Sequence, residues 1–369
     1  MNRFSDLVTK AAREMARATP GAPGKPSSPA TAIVRLDSNE NPFGPSPLAI
    51  EAMRRAMSES HRYPENDCLA LRQRLSELHG VPAAQILVAA GSTGVISLLC
   101  HTLLGPGLNA VTSQRSFIVY GMAVRAAGAQ FIEAPMRQNG VDLDAILAEI
   151  NPHTRLVLIA NPNNPTGTVA EAEQIETFLA KVPPHVVVVL DEAYHDYATH
   201  FAKVRHLVYS RSLSYVLGGA SVVAVRTFSK AHGLAGLRVG YGMGPAELLS
   251  YCASMQDTYS VSSAAQSAAL AALDDQPHIA HAVSSNAEES DSLSLSLREL
   301  GFPVAPTWAN FLYCELGRDA APVSQQLRQE GICVRPLGAW GAPTCMRVSI
   351  GTPAQNQTLV DALRRITLL

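Results

Sequence analysis

The chain has 369 residues, 47% hydrophobic and 16% charged, with a formal net charge of -2. That is enough for a well-buried core and two packed domains, and the near-neutral balance gives no global attraction to nucleic acid or anionic lipid. Six cysteines lie scattered without CxxC spacing, which reads as reduced buried thiols and a cytoplasmic setting rather than a disulfide framework.

At the N-terminus, Phe4, Leu7, Val8, Ala11 and Met15 fall on one helical face, with Arg3, Lys10, Arg13 and Arg17 largely elsewhere. A membrane-surface or targeting helix is one reading of this face, while Asp6, Glu14 and the missing hydrophobic region argue against a signal peptide. Residues 19–31 are rich in Pro, Gly, Ser and Ala, a linker composition. Residues 1–33 are therefore expected to form a flexible arm, and no apolar run approaches the roughly 20 residues of a bilayer span.

From Ile86 onward, short apolar runs alternate with helical patterns, as in parallel strands joined by crossover helices. The runs are Ile86–Ala89, Asn109–Ser113, Gln130–Ala134, Leu156–Ala160, Val186–Leu190, Ser221–Thr227 and Leu237–Met243. Val186–Leu190 is apolar on both faces, as a central strand covered by helices must be. After Ser262 the pattern turns to long helices, then short strands at Phe311–Cys314, Ile332–Arg335 and Met346–Ile350, and a last helix from Pro353. An α/β class follows: a mostly parallel sheet in a large domain over 61–261 and a smaller α+β domain over 262–369, to which 34–60 contributes.

Ligands of open α/β sheets bind beyond the carboxyl ends of the strands, so the residues following each run carry the information. Gly91-Ser92-Thr93-Gly94 opens a helix after the first run, either as a simple N-cap or as a phosphate site. The turn from Asn161 to Gly167 offers the amide of Asn164, and Asp191 stands at a strand tip, either paired structurally or facing a cationic ring nitrogen. Thr227 and Ser229 offer hydroxyls and Arg238 a bidentate cation. Lys230, directly after a buried strand, is an amine whose pKa desolvation would lower toward imine chemistry. Together these are the groups that a phosphorylated pyridine aldehyde needs. His232 fits a cap or packing role better than titration.

The ordered set Asn164-Pro-Thr-Gly167, Asp191-x-x-Tyr194, Thr227-x-Ser229-Lys230 and Arg238 resembles the fold-type I pyridoxal-phosphate (PLP) aminotransferases of class I/II. Within them the chain most resembles histidinol-phosphate aminotransferases, through Leu36-Asp-Ser-Asn-Glu-Asn-Pro-Phe-Gly44, Arg62-Tyr-Pro-Glu65, the stretch Phe228 to Gly240, and Arg347-Val-Ser-Ile-Gly351. The likeness runs from about Val34 to the C-terminus. It implies that Lys230 holds PLP as a Schiff base and moves the α-proton, that Asp191 pairs with the ring nitrogen, and that Asn164 and Tyr194 bond the phenolic oxygen. It implies a phosphate site of Ser92, Thr93, Thr227, Ser229 and Arg238, with Phe117 stacked on the ring. Arg347 and Arg335 would clamp substrate anions, Asn39 and Glu40 would line the substrate site, and Tyr63 would reach the phosphate of a neighbouring subunit in a homodimer.

Two departures stand out. Thr93-Gly94 replaces the acidic pair common after the glycine of that loop, and Phe117 stands where a tyrosine is frequent. Neither opposes PLP binding, since the loop works through backbone N–H groups and any aromatic face can stack. The rival with the same cofactor is a decarboxylase, lyase or cyclase, because the bond broken depends on orientation at Cα. A rival of another class, a PLP-sensing DNA-binding regulator, lacks room for a winged helix and shows no basic patch. Gly240-Tyr-Gly-Met-Gly244 lacks GxGxxG spacing, and His79, His101, His185, His200 and His206 lack metal-ligand spacing.

Overall fold

The computed structural model describes residues 4, 7–18 and 33–367. The linker expected over 19–31 lies outside the described residues. A helix, Lys10–Ala18, packs against the helix Val119–Ala126, while Phe4 and Leu7 on its N-terminal side are exposed.

Seven strands build the main sheet: β1 Ile86–Ala89, β2 Asn109–Ser113, β3 Gln130–Ala134, β4 Thr154–Ala160, β5 Val187–Asp191, β6 Val222–Thr227 and β7 Gly240–Met243. Their order is β1-β7-β6-β5-β4-β2-β3. The first three boundaries match the sequence expectation, and β5 is central as its all-apolar run requires. Neighbours from β6 to β3 pair in parallel, whereas β7 pairs antiparallel with both β6 and β1. β7 begins later than expected because Ala235–Leu237 forms a 3₁₀ turn.

The faces of this sheet bury separate apolar layers. Leu87, Leu158, Val189 and Val223 face one set of helices, and Val111, Val157, Val188 and Leu190 face another. The C-terminal layer holds the antiparallel strands Phe311–Glu315, Cys345–Ser349 and Arg335–Pro336, packed with Leu293, Leu297, Leu359 and Leu363. Val34–Arg35 joins it by pairing with Ile332–Cys333. Helix Ser263–Asp274 lies on the C-terminal side of the division expected at 262, yet its Ala265, Ala268 and Ala272 pack with Ile86 and Phe228 of the large domain. Helix Pro47–Met57, capped by Ser46, packs on it.

All six cysteines are buried and unbridged. Among the described residues no helix is long and apolar enough to cross a membrane, and no cluster of side chains could hold a metal ion.

Candidate active site

Every site residue singled out in the sequence except Tyr63 lines one cavity of about 900 Å³, at the carboxyl ends of β1, β4, β5 and β6 and under the C-terminal layer.

On one side is an anion cradle. β1 ends in Gly91, whose φ of +78° turns the chain into the helix Gly91–Leu103 and aims its first N–H groups at the cavity. A side chain at Gly91 would meet the Arg238 guanidinium at 2.6 Å, so glycine is what lets Arg238 lie across this helix end. Arg238 donates to Ser229 Oγ (3.3 Å), and Thr227 Oγ1 donates to the same oxygen (2.9 Å). Gly240 of β7 fits as closely, since a Cβ there would stand 2.5 Å from the Ser92 nitrogen. Gly240→Ala is expected to destabilise the protein by about 1–3 kcal/mol through overpacking against backbone, a loss that chemical denaturation measures.

At the centre is Lys230, where β6 ends. Its Nζ donates to the carbonyls of Ser38 (3.1 Å) and Asn39 (3.2 Å), and among the described residues it has no carboxylate ion-pair partner. Burial, then the positive charge of Arg347, lower its pKa to about 7. Asp191, buried at the tip of β5, is pushed up to about 6 by burial, against hydrogen bonds from Tyr120 and the Ala193 N–H. Glu192, next along the chain, serves the far side of the sheet: its Oε2 pairs with Arg226 at 2.9 Å, beside His195 and Ser210. Two adjacent carboxylates thus have opposite surroundings. His195 joins this polar layer, and His232 packs edge-on against Phe228.

The third wall is cationic. Arg347 is 6% exposed; it donates to Asn164 Oδ1 (2.6 Å) and the Asp37 carbonyl (2.7 Å), while its buried Nε has no partner among the described residues. Burial lowers its pKa to about 10, and it remains a cation at neutral pH. A guanidinium with a free buried donor fits a carboxylate or phosphate. Arg335 donates to the Asp37 carbonyl (3.3 Å) and meets its carboxylate at 3.5 Å. Asn39, with φ +55°, is tied in: its side-chain amide donates to Tyr194 Oη (2.9 Å) and its Oδ1 accepts from the Ser349 hydroxyl (3.0 Å). Glu40 is at the rim, 3.9 Å from Arg35. Tyr63 lies away from this cavity, 82% exposed and stacked on Tyr259 at 4.6 Å.

Sequence reasoning missed two groups. Trp340 lines the cavity and donates from Nε1 to the Ser116 carbonyl (3.0 Å), tying the C-terminal layer to the loop that carries Phe117. Tyr120 is fully buried against Asp191. Its only sequence signal is an aromatic hydroxyl one helical turn after Phe117.

A mostly parallel sheet with a lysine, an aspartate and an anion cradle at its strand ends, roofed by a smaller layer carrying arginines, defines the fold-type I transferases that depend on PLP. The chain belongs to the aminotransferase class I and II family, whose model matches residues 31–363, and it is an aminotransferase. It is 42% identical to histidinol-phosphate aminotransferase 2 of Pseudomonas fluorescens (strain Pf0-1), over 94% of this chain and 95% of that protein. It is 40% identical to the histidinol-phosphate aminotransferase of Moorella thermoacetica, over 94% and 90%. The crystal structure of histidinol-phosphate aminotransferase from Sinorhizobium meliloti in complex with pyridoxal-5'-phosphate superposes with a TM-score of 0.88 at 26% identity, covering 100% of this chain and 98% of that one.

The donor set suits that cofactor. Ser92, Thr93, Thr227, Ser229 and Arg238 line one part of the cavity beside a helix N-terminus and suit a phosphate, Asp191 suits a protonated ring nitrogen, and the amine of Lys230 is held near its neutral form.

Proposed function

We propose that this chain binds PLP in the cavity and, as a homodimer, exchanges an amino group between histidinol phosphate and 2-oxoglutarate. The observation that carries this reading is Lys230: a buried amine without a carboxylate ion-pair partner among the described residues, lowered to about 7, in one cavity with Asp191 and with Arg347, whose Nε is left unbonded there.

When bound, PLP supplies an aldehyde that takes up the substrate amine and a ring that accepts electron density from Cα. The chain's own residues do the rest. Asp191 would keep a proton on the ring nitrogen, and Asn164 and Tyr194 would bond the phenolic oxygen. Asn164 gives its carbonyl to Arg347, so its amide hydrogens are the ones left to donate. Phe117 supplies the stacking face, and Ser92, Thr93, Thr227, Ser229 and Arg238 hold the phosphate. Arg347 fixes the substrate's anionic end, with Arg335 as a second cation, so that the Cα–H bond points at Lys230. The Lys230 amine, near its neutral form, would take that proton and hold it as an ammonium for return. The exposure of Tyr63 on its own chain supports a role at a neighbouring subunit's phosphate.

The test is spectroscopic. The purified protein, reconstituted with PLP, is expected to show a visible cofactor band that bleaches with L-glutamate or L-histidinol phosphate and returns with 2-oxoglutarate. A protein that acquires no band after reconstitution would sink the cofactor reading. A band that answers glutamate but not histidinol phosphate would sink the substrate.

A further inference from the structure

Asp191 is useful to a protonated ring nitrogen only if it is ionised and its carboxylate plane is fixed. Burial opposes the first requirement: the side chain is 4% exposed and desolvation favours its neutral form. Two hydrogen bonds from different elements oppose that tendency. The Ala193 N–H donates to Oδ1 at 3.2 Å, and the Tyr120 hydroxyl donates to Oδ2 at 2.9 Å. The plane cannot turn without losing one of them.

Tyr120 is suited to this task in a second way. It is wholly buried in the first turn of the helix Val119–Ala126, and burial raises its hydroxyl far above the ordinary tyrosine range, so it stays a donor. Its ring packs edge-on against Phe117, with centroids 5.5 Å apart at 88°. One side chain thus braces both the carboxylate and the aromatic wall across the cavity from it. The neighbouring Tyr194 bonds to Asn39 and, among the described residues, makes no hydrogen bond to Asp191.

We propose that Tyr120 is a positioning residue of this aminotransferase, which acts through Asp191 by holding that carboxylate ionised and aligned toward the ring nitrogen of the cofactor. The inference rests on the cofactor reading given above. The other groups that bear on Asp191 are Glu192, Tyr194, Tyr209 and Lys230. Glu192 and Lys230 oppose one another there, and Tyr120 is the one side-chain hydrogen-bond donor to the carboxylate among the described residues.

The experiment is a double-mutant cycle on PLP affinity, measured with the full chain by equilibrium titration from pH 5 to 9. Tyr120→Phe keeps the ring against Phe117 and removes only the hydroxyl. It is expected to weaken PLP binding about tenfold, the size of a hydrogen bond to a charged group, and to move the acid limb of binding up by about one pH unit. In an Asp191→Asn background, the same Tyr120→Phe change is expected to alter neither. Equal weakening in both backgrounds would overturn the proposal and assign Tyr120 to packing, as would unchanged affinity and pH profile in Tyr120→Phe alone. If the unmodified protein binds no PLP, the proposed function fails first and this inference falls with it.

Discussion

Lys230→Ala is expected to cut transamination by roughly 10⁴-fold, the upper range for removal of a positioned proton-transfer group, while the protein still folds. The cost to folding is small because, among the described residues, the ammonium has no carboxylate ion-pair partner to orphan: its hydrogen bonds go to the carbonyls of Ser38 and Asn39. Burial lowers its pKa to about 7, far below the ordinary lysine value, so the folded protein binds a proton less readily than the unfolded chain does. Between pH 7 and the ordinary lysine range the unfolded state carries the extra proton, and stability therefore rises with pH across that window. Lys230→Ala should flatten this slope in the cofactor-free protein. The same titration governs capture of PLP, whose rate in the unmodified protein should climb through about pH 7 as the neutral amine appears. Steady-state assays and denaturation at several pH values check both parts. A variant that retains a tenth of its activity would remove Lys230 from the chemistry.

Much of the site could be read from the sequence because strand ends are marked twice, by the end of an apolar run and by a turn that cannot continue it. Asp191, Lys230 and the loop from Asn161 to Gly167 all stand at such ends, and the structure brings them to one cavity. Strand direction is not marked in that way. Gly240–Met243 is an apolar run like the others, yet it enters the sheet reversed, because Ala235–Leu237 and the positive φ of Arg238 turn the chain back without a crossover helix. Side-chain partners are also hidden when an apolar residue and a polar one share a pattern. Tyr120 sits in a helix whose Gly121, Ala123 and Val124 are buried, and nothing in that spacing separates a tyrosine that packs from one that donates to Asp191. Asn39 was legible as a polar residue near the site, but its ties to Tyr194 and Ser349 arise from segments 155 and 310 residues away.

Glu192 and Arg226 were hidden for the same reason, and their removal one at a time is expected to have the largest effect on stability. Their side chains are 1% and 8% exposed and meet at 2.9 Å behind the sheet. Burial would raise the Glu192 pKa, but the Arg226 guanidinium outweighs it, with help from the Ser210 hydroxyl, and holds the carboxyl below the usual range. Arg226→Met leaves that carboxylate buried without its cation and is expected to cost about 3–5 kcal/mol, the usual penalty for breaking a buried pair. Glu192→Gln combined with Arg226→Met removes both charges and should recover most of the loss. The pH dependence has a definite sign. In the unmodified protein the folded pKa of Glu192 is depressed, so its contribution is present above the ordinary glutamate value and fades as pH falls. In Arg226→Met desolvation raises that pKa instead, and acid relieves the buried charge. The stability gap between the two proteins should therefore narrow from pH 8 to pH 5 in urea denaturation. A gap that stays constant would mean that Glu192 has found another cation or water, and that the pair matters through the packing of Arg226 rather than through charge.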